Sequence, residues 1–169
     1  MEAETELVYN PHKYQQEIHE KLRRFSVLVC HRRFGKTFLA IATLIDAAIS
    51  TERENLRFAY VAPYQKQAKQ VAWDYLKQFA LPIHGTVANE SETSITFLNG
   101  ARIRLYGSDN GQSMRGLFFD GIVCDEIADF RPETWPEIIR PALTDSYHKG
   151  WCLFIGTPKG LNQFYDLYQ

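Results

Sequence analysis

Apolar positions recur along this chain in two rhythms, one suited to strands and one to helices. Phe25 to Cys30 is a short apolar run that predicts a buried strand, and Phe38 to Ile49 is apolar enough for a strongly buried helix. Leu56 to Ala62 predicts a second strand, ended by Pro63, and Tyr64 to Phe79 a long helix. Ala68, Val71, Ala72, Tyr75, Leu76 and Phe79 are the expected core face of that helix. Upstream, Tyr14, Ile18 and Leu22 recur at four-residue spacing, so Pro11 to Arg24 reads as an amphipathic helix after an extended lead-in over Met1 to Val8. Ser94 to Leu98 and Ala101 to Tyr106 alternate around Asn99-Gly100, which predicts a hairpin with a tight type I′ turn. Gly107 to Gly116 is polar, glycine-rich and expected to be mobile. A strand from Leu117 to Cys124 then ends in Asp125-Glu126, and Pro132 to Leu143 is a helical stretch broken by Pro136 and Pro141. Trp151 to Ile155 is a further strand, Gly156 to Gly160 a tight loop, and Asn162 the expected cap of a last helix. Strands alternating with helices predict an α/β fold, a mainly parallel central sheet with helices on both faces. Ligands in such sheets bind at the carboxyl ends of the strands.

Composition narrows the chemistry without choosing it. The 169 residues are 45% hydrophobic and 23% charged, ordinary for a single globular domain. A net charge of −1 gives no global attraction to nucleic acid or anionic lipid. No apolar run is long enough to span a bilayer. Cys30, Cys124 and Cys152 lie in or at the end of strand-like runs and read as buried thiols, with no spacing that suits zinc.

Candidate chemistry begins at Gly35-Lys36-Thr37, the end of a phosphate-binding loop of the form GxxxxGK[ST]. Gly35 lets backbone approach a phosphate, and N–H groups at a helix start favour an anion. Lys36 reaches toward β- and γ-phosphates, and the Thr37 hydroxyl suits Mg²⁺. The first glycine of the pattern falls at Cys30, so the strict form fails, and Arg32 and Arg33 stand where such loops usually carry small residues. Arg33 and Phe38 flank Gly35-Lys36-Thr37 and complete the candidate nucleotide-binding set. Asp125 and Glu126, at the carboxyl end of an apolar run, suit a Mg²⁺ ligand and a water-activating base. Thr157, after the Trp151 strand, is placed to sense a γ-phosphate. Gln15 carries the donors and acceptor that read the edge of adenine.

The order Tyr14-Gln15, C-H-R-R-F-G-K-T, V-A-P-Y, Met114-Arg115-Gly116, I-V-C-D-E and I-G-T-P-K-G resembles the N-terminal ATPase domain of large terminase subunits, the motors that package DNA into tailed-bacteriophage capsids. The resemblance runs from about Pro11 to Gly160, and the variant loop, with arginine three residues before its glycine and no first glycine, is characteristic of that family. It implies a P-loop NTPase of the ASCE, RecA-like type that hydrolyses ATP with Mg²⁺. Gln15 would then read adenine, Lys36 and Thr37 hold phosphate and metal, Asp125 bind Mg²⁺ and Glu126 act as base. Thr157 falls in the family's coupling motif, and Arg32 and Arg115 match arginines proposed there as charge-stabilising groups. The implied partners are double-stranded DNA, a portal protein, a small terminase subunit and further copies in a homo-oligomeric ring, in the cytoplasm of an infected bacterium and with no membrane. By the same resemblance, residues 1–169 form an ATPase domain shortened at its carboxyl end, without the nuclease domain of large terminases. Two other readings share parts of the pattern: the first RecA-like domain of a superfamily 2 helicase, and a nucleotide-binding assembly module that does not hydrolyse.

Overall fold

The computed structural model describes residues 10–31, 33–144 and 149–169. Its strands are β1 (Phe25–Val29), β2 (Arg57–Ala62), β3 (Val87–Asn89), β4 (Ser94–Thr96), β5 (Arg102–Gly107), β6 (Gly121–Asp125) and β7 (Trp151–Gly156). They form one sheet in the order β1-β7-β6-β2-β5-β4-β3, parallel from β1 to β5 and antiparallel from β5 to β3. The α/β expectation therefore holds, with an antiparallel extension at one side. Helix α2 (Lys36–Ile49) and the α3–α4 segment (Gln65–Ala68 and Asp74–Ala80) cover one face, where Ile41, Leu44, Tyr60, Trp73, Leu76 and Ile103 are buried together. The other face is packed by Met114, Phe119, Ile139 and Phe164, the last from α6 (Gln163–Tyr168). Asn162 caps α6 as expected, its side chain accepting from the N–H groups of Phe164 and Tyr165.

The last strand in sequence, β7, inserts between β1 and β6. The strand that leads into Gly35-Lys36-Thr37 and the strand that ends in Asp125 are therefore not neighbours, and β7 brings Gly156 and Thr157 between them. Main-chain bonds tie the three ends together: Cys30 N–H donates to Gly156 O (3.1 Å) and Glu126 N–H to Ile155 O (2.9 Å).

Several local expectations change in the fold. β1 pairs only with β7 among the described residues, so it is an edge strand, half-exposed rather than buried. Helix α1 (Lys13–Lys21) buries Gln15 and leaves Tyr14 66% exposed, while Ile18 and Leu22 of the expected apolar face are half-buried and Leu22 packs on the core. Between α3 and α4 the chain makes a π turn over Lys69–Trp73. The wider turn rotates the face that follows, so Trp73 enters the core and Val71 faces outward. In the hairpin Gly100 N–H donates to Phe97 O (2.9 Å) and Gly100 alone takes a positive φ of 77°. That is a type I turn followed by a left-handed glycine rather than type I′. The glycine-rich stretch is packed: Ser108–Met114 is a 3₁₀ segment with Met114 fully buried and Gly111 against Ile138. The expected lead-in over Met1 to Val8 lies outside the described residues.

Candidate active site

The phosphate loop runs from the end of β1 into α2. Gly35, the N-cap of α2, has φ 83°, a backbone conformation that favours glycine, and a Cβ there would press on Gln15 Nε2 at 2.8 Å. Cys30 does not share that need. Among the described residues the positive-φ positions of the loop are Arg33 and Gly35, while Cys30 extends the β1–β7 ladder through its N–H. The missing first glycine thus has a backbone reason. Arg33, at φ 67°, is exposed and lines an open cavity of about 660 Å³ with His12, Tyr14, His31 and Phe34. Arg32 lies outside the described residues.

Gln15 is a tie as well as a candidate reader of adenine. Its Oε1 accepts from His12 N–H (3.1 Å) and its Nε2 donates to Gly35 O (3.3 Å), joining α1 to the phosphate loop. One N–H and one lone pair of the amide have further capacity. Phe38 packs against Tyr75 (ring centroids 4.3 Å apart) and Phe79, tying α2 to α4 behind the loop.

Asp125 is the last residue of β6 and is 7% exposed. Its Oδ2 accepts from the hydroxyl of Tyr60, a fully buried residue of β2. Burial raises the Asp125 carboxyl to about 6, with the Glu126 charge adding to the rise while Tyr60 and Lys36 oppose it. Burial likewise pushes the Tyr60 phenol well up, and the Asp125 charge pushes it further. The Thr37 hydroxyl acts in the opposite sense on the Tyr60 phenol, lowering it. A buried carboxylate with a hydroxyl beside it suits a hard cation that takes one or two protein oxygens and fills the rest of its shell with phosphate and water. No group of three or more His, Cys, Asp or Glu that suits a metal occurs among the described residues.

Glu126 adopts φ 55°, ψ 48°, a left-handed conformation that costs a non-glycine residue roughly 1–2 kcal/mol. Its carboxylate meets three side chains. Lys36 Nζ is 3.8 Å from Oε1, the Thr157 hydroxyl donates to Oε2 at 3.2 Å, and Lys159 Nζ is 3.7 Å from Oε2. Lys159 also pairs with Asp129 at 2.6 Å, and that bond is the first cause of its raised pKa. The structure thus assembles Lys36, Thr37, Asp125, Glu126 and Thr157 at one edge of the sheet. Arg115 is elsewhere, on the surface, 3.6 Å from Glu137.

Sequence reasoning missed two residues of this cluster. Lys159 was visible in the G-T-P-K-G loop but had no sequence signal for its two carboxylate partners. Tyr60 reads as one more core residue of β2, and only the β2–β6 register, Tyr60 beside Val123, carries its hydroxyl to Asp125. Tyr60→Phe is expected to raise the Mg²⁺ concentration needed for nucleotide binding by about 10- to 100-fold, the usual cost of removing a group that orients a metal ligand. A Mg²⁺ titration of a fluorescent ATP analogue checks this, with thermal melting to confirm the fold. An unchanged Mg²⁺ midpoint in a folded variant would return Tyr60 to a packing role.

A family model described as "Terminase large subunit, T4likevirus-type, N-terminal" matches residues 29–169. The terminase large subunit of Thermus virus P23-45 is 26% identical over 96% of this chain, which spans 36% of that protein. Among solved structures, the large terminase ATPase domain of Thermus phage P74-26 superposes with a TM-score of 0.80 at 26% identity, over 95% of this chain and 70% of that one. The large terminase of thermophilic bacteriophage D6E, in complex with ATP-γ-S, matches with a TM-score of 0.55 at 16% identity, over 79% of this chain and 31% of that one.

Proposed function

This chain belongs to the terminase large-subunit family, with the fold of its ATPase domain, and from that premise we propose that it binds ATP with Mg²⁺ and hydrolyses it to drive double-stranded DNA into a procapsid. The observation that carries the reading is Glu126. The chain holds this residue in a costly backbone conformation, and its carboxylate faces both Lys36 of the phosphate loop and Thr157, the first residue after the intervening strand. The chain spans about a third of the length of its curated relatives, so DNA, the portal, the small subunit and a ring of copies are proposed partners of the whole motor. The host cytoplasm is its proposed location; no helix among the described residues is long and apolar enough to cross a membrane.

The geometry supports the following roles. Bound phosphate competes with Glu126 for Lys36, since the 3.8 Å ion pair is long and partly solvated. Lys36 and the N–H groups of the first turn of α2 then hold the phosphates. Thr37 and Asp125 would hold Mg²⁺, which would supply charge neutralisation on the phosphate oxygens. Glu126, released by Lys36, orients and deprotonates the attacking water. Thr157 is bonded to that same carboxylate, so a change at the phosphate reaches β7 through Glu126. The base is proposed to lie in the cavity lined by His12, Tyr14, Arg33 and Phe34. Gln15 is 5% exposed and does not line that cavity, so reading adenine through its spare N–H and lone pair requires its side chain to turn toward the base. The D6E terminase, crystallised with ATP-γ-S, is consistent with this class of ligand.

Calorimetric titration with ATP and GTP tests the reading. Lys36→Ala is expected to abolish or strongly weaken binding of both nucleotides, while Gln15→Ala narrows the preference for ATP. Unchanged affinity in the lysine variant would remove the nucleotide site from this loop, and an unchanged preference in the glutamine variant leaves Gln15 as a tie alone.

A further inference from the structure

The amino ends of the parallel strands, opposite the nucleotide site, carry a concentration of positive charge. Arg57 opens β2 and Arg102 opens β5, and the two are register partners. Arg104 stands two residues further along β5, on the same face. Strand geometry spaces Arg102 and Arg104 about 6.6 Å apart and sets Arg57 about 4.8 Å to the side. All three line one cavity of about 350 Å³, with Tyr106, Phe118 and Phe119 among its other walls, and no carboxylate lines it among the described residues.

The nearby acids do not balance this charge. Glu92 pairs with Arg102, and Asp120 pairs with Arg53 at 3.2 Å. The Arg57 guanidinium donates to the carbonyls of Leu56 and Gly100, and that of Arg104 lies over the Tyr106 ring at 5.1 Å. Arg57 and Arg104 therefore have no carboxylate partner for their guanidinium groups among the described residues. The Nε groups of Arg102 and Arg104 are also buried with no acceptor. Unpaired buried donors and like charges held close are both unfavourable for the fold, and an anion in the cavity relieves both. The cluster is a local feature, because the chain as a whole carries a charge of −1.

We propose that this cavity is a second phosphate site, and that its ligand is the sugar-phosphate backbone of double-stranded DNA. Arginines along one strand can meet successive phosphates of a nucleic-acid strand, and phosphate contacts of this kind position a duplex without reading its sequence. The sheet leaves room for it: β4 and β3 continue the same face outward, with Thr96 and Val87 exposed beside Arg102. The choice of DNA rests on the packaging reading above. The site itself rests on the arginines.

Fluorescence anisotropy of a labelled duplex, measured over a series of salt concentrations, tests it. For each phosphate that the protein no longer neutralises, the slope of log K against log salt falls by about 0.9. Arg104→Ala is expected to weaken duplex binding several-fold and lower the slope by about that amount, and Arg57→Ala/Arg104→Ala by about twice as much. Arg104→Lys keeps the charge, so its slope stays near the parental value; it also guards against a folding defect in the alanine variant. ATP affinity, titrated on the same samples, stays unchanged in all three, which separates failure of this site from failure of the nucleotide reading. A parental slope in Arg104→Ala, no duplex binding by the parent chain, or inorganic phosphate competing as well as duplex at equal phosphate concentration would each overturn the proposal. So would a defect confined to subunit assembly, which would assign the cavity to carboxylates of a neighbouring protein.

Discussion

ATP bound to the Glu126→Gln variant is expected to remain uncleaved. The substitution keeps the shape of the side chain, and the amide oxygen still accepts from the Thr157 hydroxyl, now 3.2 Å from Oε2. The amide cannot take a proton from water. Removing a general base costs typically 10²- to 10⁴-fold in rate. The sign expected for binding is also specific. Glu126 is 3.8 Å from Lys36 Nζ, so phosphate has to displace a carboxylate before Lys36 can hold it. Neutralising Glu126 removes that competitor, and ATP affinity should be equal to or tighter than the parent's. Single-turnover phosphate release and calorimetric binding on the same preparation check both halves. Hydrolysis at the parental rate would move the base to another residue. Affinity that collapses with the rate would make Glu126 a binding group.

Arg115→Ala is expected to abolish hydrolysis in the assembled motor, by roughly the 10³- to 10⁵-fold that an arginine at the transferring phosphoryl supplies. Arg115 does not serve its own site through the contacts it makes: its partner is Glu137, 3.6 Å away, with both side chains more than half exposed. An exposed pair of this kind is worth about 0–1 kcal/mol, so it yields readily to a phosphate. The preceding segment is a firm mount, since Met114 is fully buried and Gly111 packs on Ile138. Arg115 is therefore proposed to be presented outward to the site of an adjacent subunit. Mixed assemblies decide it. Lys36→Ala has a dead site and an intact Arg115, whereas Arg115→Ala has the reverse. Each alone is expected to be inactive, and the mixture should recover part of the ATPase activity. If mixed rings form and no ratio restores turnover, the action in trans fails. Arg32, which lies outside the described residues, then becomes the candidate.

Much of the site was legible because its residues report on themselves. A lysine and threonine after a glycine at a helix start, and two carboxylates after an apolar run, have few other uses in that order. Asn162 and the Trp151 strand were legible for the same local reason, and both occur as expected. The failures share a different cause. Gln15 was read as a group suited to adenine, but its spacing gave no sign that the helix turns it inward to bond Gly35. Val71 and Trp73 exchanged places because a π turn altered the helical period, which an apolar pattern of constant spacing does not foresee. Gly107 to Gly116 reads as loose from its composition, but packing on the 135–139 turn holds it.

What this sequence determined by itself is the chemistry on offer: a phosphate loop, a carboxylate pair, a threonine after a strand, and the alternation that makes a parallel sheet. Periodicity and local backbone preference act within a few residues, so they survive in the string of letters. Which groups touch was decided by strand order and register. The insertion of β7 between β1 and β6 brings Thr157 to Glu126, the β2–β6 register brings Tyr60 to Asp125, and the β2–β5 register gathers Arg57 with Arg102 and Arg104. These pairs are separated by tens of residues along the chain. Their meeting depends on the packing of the whole sheet between its two helical layers, and no local signal encodes it.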